Sequence, residues 1–522
     1  MSGIPTTSIP DSWSWSRIQD VATTATGGTP SRTVSKYFGG TIPWVKSGEL
    51  GDSHVFETAE TLSELGLKSS NAKLFPKGTL CIALYGATVG KLGILEVEAA
   101  TNQAVCGIFL PSDIHRDYVF HYLASIRRNL IEQGKGGAQS NISNGLVRET
   151  WIPIAPFPEQ RRIVAKVEEL FSDLDAGVAA LARAKANLKR YRAAVLKAAV
   201  EGKLTEVWRA EHPAAEPASK LLARILTERR QKWEAKQLAK FAAAKKEPPK
   251  NWREKYVEPT PPDATELPDL PNGWCWATIH QLNSAERPIS YGVLQPGHDL
   301  EVGVPLVRVC DVADGKVAVE QLKKIAPEIS KQFQRTILQG GEVVLTVVGT
   351  IGRTAIAPVE LAGANTARAV AVIAVVSPCN AQFLELTLRE PSMRAKLTRA
   401  AHEVARKTLN LEDVRVVPVP LAPLKEQQQI LQIVAERQSQ IDAAELFISH
   451  SLFRASRLRQ SILRQAFEGK LVPQDPSDEP ASVLLARLHV TRSSEGNGKS
   501  ATSTQARRHG PKTKMPKELT SE

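Results

Sequence analysis

The chain has 522 residues, a formal net charge of +12 and a sequence pI near 9.4. Hydrophobic residues at 42% and charged residues at 23% are ordinary for a folded domain protein, and exclude wholesale disorder and a collagen-like fibre. The longest apolar run, 369–376, falls far short of the roughly 20 residues a membrane-spanning helix needs.

In chain order, residues 1–157 read as a mixed domain in which short β-rich runs (79–84, 105–110) alternate with Gly-rich turns. A Pro-punctuated stretch at 152–158 closes it, because proline disfavours helix in the residue before it. Residues 158–205 then read as one long helix with apolar positions at alternating steps of four and three: Ile163, Val167, Leu170, Leu174, Gly177, Leu181, Ala184, Leu188, Tyr191, Val195 and Ala198. Residues 206–267 form a basic, Pro-rich linker with a helix expected over 219–246. A second mixed domain follows at 268–423, with β-rich runs at 342–348 and 369–376. A second long helix spans 424–472, with Ile430, Val434, Arg437, Ile441, Ala444, Ile448, Ser451, Ala455, Leu458, Ile462 and Gln465 on the matching lattice. Residues 473–489 make a short C-terminal helix, and 490–522 a disordered basic tail.

The chain is thus written twice. Pro10, Trp13, Trp15 and Ile18 recur as Pro271, Trp274, Trp276 and Ile279; Glu159-Gln160 recurs as Glu426-Gln427; Glu201-Gly202-Lys203-Leu204 recurs as Glu468-Gly469-Lys470-Leu471. Sustained four-three spacing predicts a coiled-coil seam roughly 65 Å long at 1.5 Å per residue. Arg437 and Gln465 are polar departures on that seam. Gly202 and Gly469 stand where a helix end favours a left-handed residue. Antiparallel pairing would put the two domains at opposite ends, related by an approximate two-fold axis.

Charge is unevenly spread. Residues 220–258 hold 12 Lys/Arg against 5 Asp/Glu, and the tail 490–522 holds 7 against 3, whereas 1–157 and 268–423 are close to neutral. A basic chain suggests a polyanionic partner, but bulk charge does not place a nucleic-acid surface on either domain. The basic stretches read equally well as solvated linker and tail.

No catalytic constellation emerges. The segment 86–92 looks like a phosphate loop but is one residue short and lacks the Ser/Thr that would hold magnesium, so a Gly turn at a strand end is expected, as again at 349–353. His402 to Arg406 lacks the second histidine of a zinc-protease helix. His115 and His121 read as surface or turn residues. Five scattered cysteines without a Cys-x-x-Cys pair read as reduced thiols, and the start shows no secretory pattern, so a cytoplasmic protein is expected.

Candidate DNA contacts are chosen by chemistry: Arg or Lys for guanine, Asn or Gln for adenine, and Lys, Arg, Ser or Thr for phosphate. In the first copy these are Thr29, Ser31, Arg32, Lys46, Ser47, and Lys135, Gln139 and Asn141 on a Gly-rich loop. In the second they are Arg308, Arg353, Arg368, Arg406, Lys407 and Thr408. Trp13, Trp15, Trp274 and Trp276 read instead as core or subunit packing.

Gly27-Gly28-Thr29-Pro30-Ser31 leading into Ile42-Pro43-Trp44-Val45, the Pro-rich runs into Glu159-Gln160 and Glu426-Gln427, and the two Gly-Lys-Leu helix ends carry a family resemblance. The chain resembles the specificity subunit of type I restriction-modification enzymes over roughly 1–205 and 268–488. The resemblance implies an α+β fold: two mixed α/β target-recognition domains joined by two long helices forming an antiparallel coiled coil, a tandem repeat with pseudo-two-fold symmetry. It implies a non-catalytic subunit that reads double-stranded DNA, each domain reading one half of a bipartite asymmetric site. The implied partners are two methyltransferase subunits and the restriction subunits. S-adenosylmethionine, ATP and Mg2+ are expected on those partners, with no cofactor or metal on this chain and no membrane. The basic 206–267 insert departs from the pattern, and reads as a subunit contact, a non-specific DNA contact or a spacer. A duplicated coiled-coil adaptor that binds only proteins, or a fused enzyme with its own nuclease or methyltransferase, are the competing readings.

Overall fold

The computed structural model describes residues 5–500 except 137–138, 264 and 404–406. They divide into two compact units, residues 1–181 with 450–522, and residues 182–449. The longer helices are α1 (Arg116–Gln133), α2 (Phe157–Val200), α3 (Ala218–Ala243), α4 (Ala381–Arg389), α5 (Pro391–Arg399), α6 (Leu424–Phe467) and α7 (Ala481–Ser500).

In the first unit, β1 (Ser14–Arg17) is joined by β2 (Thr23–Thr26), β3 (Phe38–Val45), β4 (Ser53–Val55), β5 (Leu80–Ala83), β6 (Leu92–Leu95), β7 (Ala99–Thr101), β8 (Val105–Phe109) and β9 (Trp151–Ile154). β1 pairs antiparallel with β9, Ser14 opposite Ile154, which zips the start of the domain to its end. The main sheet has the order β2-β8-β5-β6-β4. Successive strand residues face opposite sides. Leu80 and Ile82 enter the larger core with Tyr118 and Leu123 of α1, while Cys81 and Ala83 enter a smaller core with Val45 and Phe75. Both faces are covered, so these strands are apolar without alternation.

α1 corrects one expectation. His121 is buried, edge-on to Phe120 and Phe171, because its position on the helix turns it into the core with Tyr118 and Tyr122. Burial there lowers its pKa to about 4, despite the opposing pull of Asp117.

The second unit repeats the plan with β10 (Cys275–Thr278), β11 (Ser290–Tyr291), β12 (Val304–Val307), β13 (Val343–Thr346), β14 (Thr354–Ile356), β15 (Asn365–Thr366), β16 (Val370–Ile373) and β17 (Pro418–Leu421). β10 pairs with β17, Cys275 opposite Leu421. The sheet order is β11-β16-β13-β14. Val343 and Leu345 face one core and Val344 the other.

The 206–267 insert is more than a tether. Ala218, Leu221 and Ile225 of α3 are fully buried in the core of the second unit. Arg229, one turn on, is also buried; its Nε donates to the Asn283 carbonyl at 3.0 Å and its Nη1 to the Tyr256 hydroxyl at 2.7 Å. In the first unit, Ala481, Leu484 and Leu488 of α7 fill the corresponding place. α7 runs to Ser500 rather than stopping at 489, and the expected tail from 501 onward lies outside the described residues.

The long helices pair antiparallel. In the second unit, Val195 and Ala199 of α2 share a core with Ile430 and Val434 of α6, while earlier Arg192 reaches later Asp442 at 2.7 Å. In the first unit, Ile163 and Val167 share a core with Ile462, Ala466 and Phe467, and Arg459 pairs with Asp175. Ile163, Val167, Val195, Ile430, Val434, Ile441, Ile448 and Ile462 are buried, and Leu170, Leu174, Leu181 and Leu188 half-buried. One row of the seven-residue lattice leaves the buried face after four heptads: whereas Val195 and Ile462 stay buried, Tyr191 and Leu458 are 41% and 52% exposed. Their neighbours Arg192 and Arg459 turn inward instead. A straight α-helix drifts ~20° per heptad. Four heptads separate Ile163 from Tyr191 and Ile430 from Leu458, a drift of about 80°, close to the ~100° between successive residues. Arg437 and Gln465 are likewise exposed, so neither is a polar seam position; Arg437 donates to the Tyr191 hydroxyl, and Ala466 is buried in place of Gln465.

Gly202 and Gly469 adopt the expected left-handed backbone, with φ of 67° and 69°. At the other helix end, the repeated Glu-Gln pair has a defined role. Glu159 accepts the Trp13 indole N–H at 3.0 Å and Glu426 that of Trp274 at 2.9 Å. Gln160 and Gln427 each donate to the carbonyl five residues back at 2.8 Å. Their Oε1 atoms accept the backbone N–H of His115 and Asn380, the N-caps of α1 and α4. One polar dipeptide thereby joins strand end, long helix and domain helix in each unit.

Candidate nucleic-acid interface

Each unit places its candidate contacts on the same four features. The first is the glycine crossing. Gly27 and Gly28 follow β2 and pass over the end of β7, where a Cβ on Gly27 would lie 2.0 Å from the Thr101 carbonyl oxygen and one on Gly28 2.4 Å from the Ala72 nitrogen. No side chain fits there. An open cleft of about 630 Å³ results, lined by Thr29, Asn71, Lys73 and Gln103. Gly292 repeats the crossing, its Cβ position 1.9 Å from the Thr366 carbonyl oxygen.

The second feature follows β3 and β12. Lys46 and Arg308 each begin a short 3-10 turn capped by an acid three residues on: the Lys46 N–H donates to Glu49 at 2.7 Å and the Arg308 N–H to Asp311 at 2.8 Å. The Lys46 ammonium and the Arg32 guanidinium both meet Glu60, at 2.6 Å each. Arg32 also stacks over Phe38 and Trp44. These hydrogen bonds hold the Glu60 carboxyl below its usual range. Arg308 binds Asp311 through Nε and Nη2, both at 3.0 Å. Ser47 turns its carbonyl to the Thr88 hydroxyl. Ser31 is exposed and shares a 2.8 Å hydrogen bond with Thr33.

The third feature is the Gly turn between β5 and β6, and between β13 and β14. Gly86 and Gly90 have φ of 90° and 77°, and Gly349 and Gly352 have 77° and 84°. These are strand-connecting turns, as the sequence suggested for the phosphate-loop look-alike. Behind each lies an arginine that the sequence did not single out. Arg127 of α1 donates from Nε to the Gly90 carbonyl at 2.8 Å and grips Asp52 with both terminal nitrogens. Arg394 of α5 does the same to Gly352, at 2.9 Å, and to Asp314. Burial pushes the Asp52 carboxyl up, but Lys91, the Leu92 N–H and Arg127 together bring it below its usual range. Arg353 stands where Lys91 does, one residue after the second glycine, and its Nη1 lies 3.4 Å from the Val312 carbonyl. The signal for Arg127 and Arg394 was present as one more ordered repeat, but nothing local marks either arginine as structural.

The Gly-rich loop expected at 134–141 is a short hairpin, Lys135–Gly136 against Gln139–Ser140, because the backbone N–H and C=O groups on its two arms pair. The side chains of Lys135 and Gln139 lie outside the described residues, and Asn141 is exposed. The second unit carries the matching hairpin, His402–Glu403 against Lys407–Thr408, with Lys407 exposed and Arg406 outside the described residues. Both hairpins lean on the Gly turns, Ile142 donating to the Leu84 carbonyl at 2.7 Å and Leu409 to the Val347 carbonyl at 2.8 Å.

Trp13 and Trp274 are buried and Trp15 and Trp276 half-buried, as packing residues. Among the described residues no group of three His, Cys, Asp or Glu could hold a metal ion, and no helix is long and apolar enough to cross a membrane.

A family model described as the type I restriction modification DNA specificity domain matches residues 10–181 and again 300–445. The chain belongs to that family. It is 30% identical over 420 residues to the type I restriction enzyme EcoBI specificity subunit of Escherichia coli, covering 77% of both chains. It is 24% identical to the EcoKI specificity subunit of E. coli strain K12, over 94% of this chain and 98% of that one. A chain from a solved type I R-M system, described for its complex assembly and conformational transition, superimposes with a TM-score of 0.61 at 18% identity, over 88% of this chain and 99% of the other. As a type I specificity subunit, the protein recognises DNA sequence and organises methyltransferase and restriction subunits, and is itself non-catalytic.

Proposed function

We propose that the domains at 1–157 and 268–423 each read one half of a bipartite, asymmetric double-stranded DNA site. The observation that carries this is the repetition of one scaffold with different side chains at matching surface positions. Lys46 is matched by Arg308 and Lys91 by Arg353, each at the same place in the same turn. A shared skeleton presents each reader to the duplex in one manner, and unlike side chains select unlike bases. An unread spacer is then expected between the two halves.

In this reading the methyltransferase subunits bring S-adenosylmethionine and the restriction subunits ATP and Mg2+. The adenine they methylate is extruded from the duplex, so protein contacts flanking it accommodate opened DNA. The complex works in the cytoplasm. Lys46, Arg32, Lys135, Gln139, Asn141, Arg308, Arg353, Arg406, Lys407 and Thr408 are the proposed contacts, with Thr29, Ser31 and Ser47 as phosphate or turn partners.

The test is coexpression with the methyltransferase subunits of the same system, followed by single-molecule mapping of methyladenine. One split motif with two unlike halves is expected. A continuous motif, scattered methylation, or a complex that shifts no duplex at low salt would support the adaptor reading instead. Binding is expected to weaken steeply with salt, with log K falling linearly in log salt concentration.

A further inference from the structure

The two glycine crossings place one more pair of residues at the same position in the two units. β7 pairs parallel with β3, Thr101 opposite Val45, and β15 pairs parallel with β12, Thr366 opposite Val307. The chain over the crossing makes the same bond in each: Gly28 N–H to the Thr101 carbonyl at 2.9 Å, and Val293 N–H to the Thr366 carbonyl at 2.7 Å. The turn after each strand is also the same, closed by Val105 N–H to the Asn102 carbonyl at 3.1 Å and by Val370 N–H to the Ala367 carbonyl at 2.9 Å. The second residue of that turn is Gln103 in the first unit and Arg368 in the second. Both are exposed.

Their surroundings are those of a reader rather than of a packing residue. Gln103 lies at the rim of the open cleft with Asn71 and Lys73, and its Oε1 accepts the Thr29 hydroxyl. That bond limits how the amide can rotate, so its remaining donors and acceptor point in a set direction. The Arg368 side chain has no hydrogen bond or ion pair among the described residues. This separates it from Arg308 and Arg394, which are bound to Asp311 and Asp314. Leu294, the counterpart of Thr29, is 55% exposed and follows Val293, whose carbonyl accepts the Arg368 backbone N–H at 2.8 Å. An apolar group next to a free guanidinium suits a thymine methyl beside a guanine. The backbone on both sides of each side chain is held by strand pairing and by a crossing in which Gly27 or Gly292 has no room for a Cβ, so the position is rigid.

We infer that Gln103 and Arg368 are specificity-determining residues that read one base each, at corresponding places in the two half-sites: Gln103 an adenine and Arg368 a guanine. This rests on the DNA-reading function proposed above. Gln presents a donor and an acceptor matching adenine N7 and N6, and Arg two donors matching guanine N7 and O6.

The experiment maps methyladenine motifs of the assembled methyltransferase complex carrying Gln103→Arg, Gln103→Ala, Arg368→Gln or Arg368→Ala. Because both side chains are exposed, assembly is checked by co-purification with the methyltransferase subunits. Each variant is expected to alter one base position in one half-site and leave the other half unchanged. The alanine variants should lose ten- to hundred-fold discrimination at that position, and Gln103→Arg should move preference there from adenine towards guanine. An unchanged motif in an assembled Gln103→Ala or Arg368→Ala complex overturns the inference. So does methylation weakened uniformly over all sequences with a shallower salt dependence, the signature of a phosphate contact. A wild-type complex without a split motif would defeat the underlying function instead, which keeps the two failures apart.

Discussion

The Trp13 indole donates its N–H to Glu159 at 3.0 Å, across 146 residues of chain, and Trp274 makes the same bond to Glu426 at 2.9 Å. Each bond ties the first strand of a domain to the first turn of its long helix. In the first unit Gln474 adds a second donor to Glu159; in the second, Thr205 and Arg209 serve Glu426 at 2.7 Å and 2.8 Å. Burial nonetheless raises the Glu159 carboxyl above its usual range.

Glu159→Ala should therefore destabilise the first unit by about 2 kcal/mol, since it strands the Trp13 N–H in a buried site. Trp13→Phe with Glu159→Gln should cost less than the sum of the single changes. Urea unfolding followed by tryptophan fluorescence would measure both, and strict additivity would mean the bond contributes nothing.

His121 makes the first unit sensitive to acid. Its folded pKa of about 4 lies below the ordinary histidine value of 6.5, so the unfolded chain takes up the proton more readily. The contribution is fully present above pH 6.5 and is lost as pH falls toward 4. At about 1.4 kcal/mol per pH unit this is on the order of 3 kcal/mol. His121→Leu should remove the decline over that range, compared as urea midpoints of the full chain at pH 7 and pH 4.5. A parallel decline in the variant would assign the acid sensitivity to other groups.

The arginine clamps predict local rather than global effects. Arg127→Lys keeps the charge but cannot bridge the Gly90 carbonyl and both oxygens of Asp52 at once. Amide exchange at Gly90 and Leu92 should rise several-fold, with little change at Gly352. Arg394→Lys should give the mirror result. Below the ordinary carboxylate range, protonation of Asp52 should open the first turn, because its lowered folded pKa contributes stability that is lost as pH falls through it.

The register of the long helices can be checked by contrast. Ile441 is 2% exposed and Leu458 is 52% exposed, although both lie on the same seven-residue lattice. Ile441→Ala should cost about 2–5 kcal/mol in denaturant unfolding and Leu458→Ala within about 0.5 kcal/mol. Equal losses would restore the strict heptad seam.

Much of this was legible in the residues alone, because a repeat of ordered motifs constrains topology without any knowledge of distances. Gly202 and Gly469 announced left-handed helix ends, and runs such as 369–376 announced strands. The site was less legible. Arg32, Lys46 and Arg308 were legible as candidate contacts, but not which acid on the same surface holds each. Gln103 carried no local mark; only the matched pairing of β7 and β15 aligned it with Arg368.

The sequence by itself determined the duplicated plan, the two long helices and the absence of an obvious catalytic motif, since these depend on order, period and residue chemistry. Tertiary structure decided which turn of each helix faces inward, that the basic insert seats α3 in a core, that His121 is buried, and which polar side chains remain open to a partner. The physical reason is that helical drift, burial and ion pairing depend on where remote segments meet, and a remote meeting leaves no trace in the spacing of neighbours.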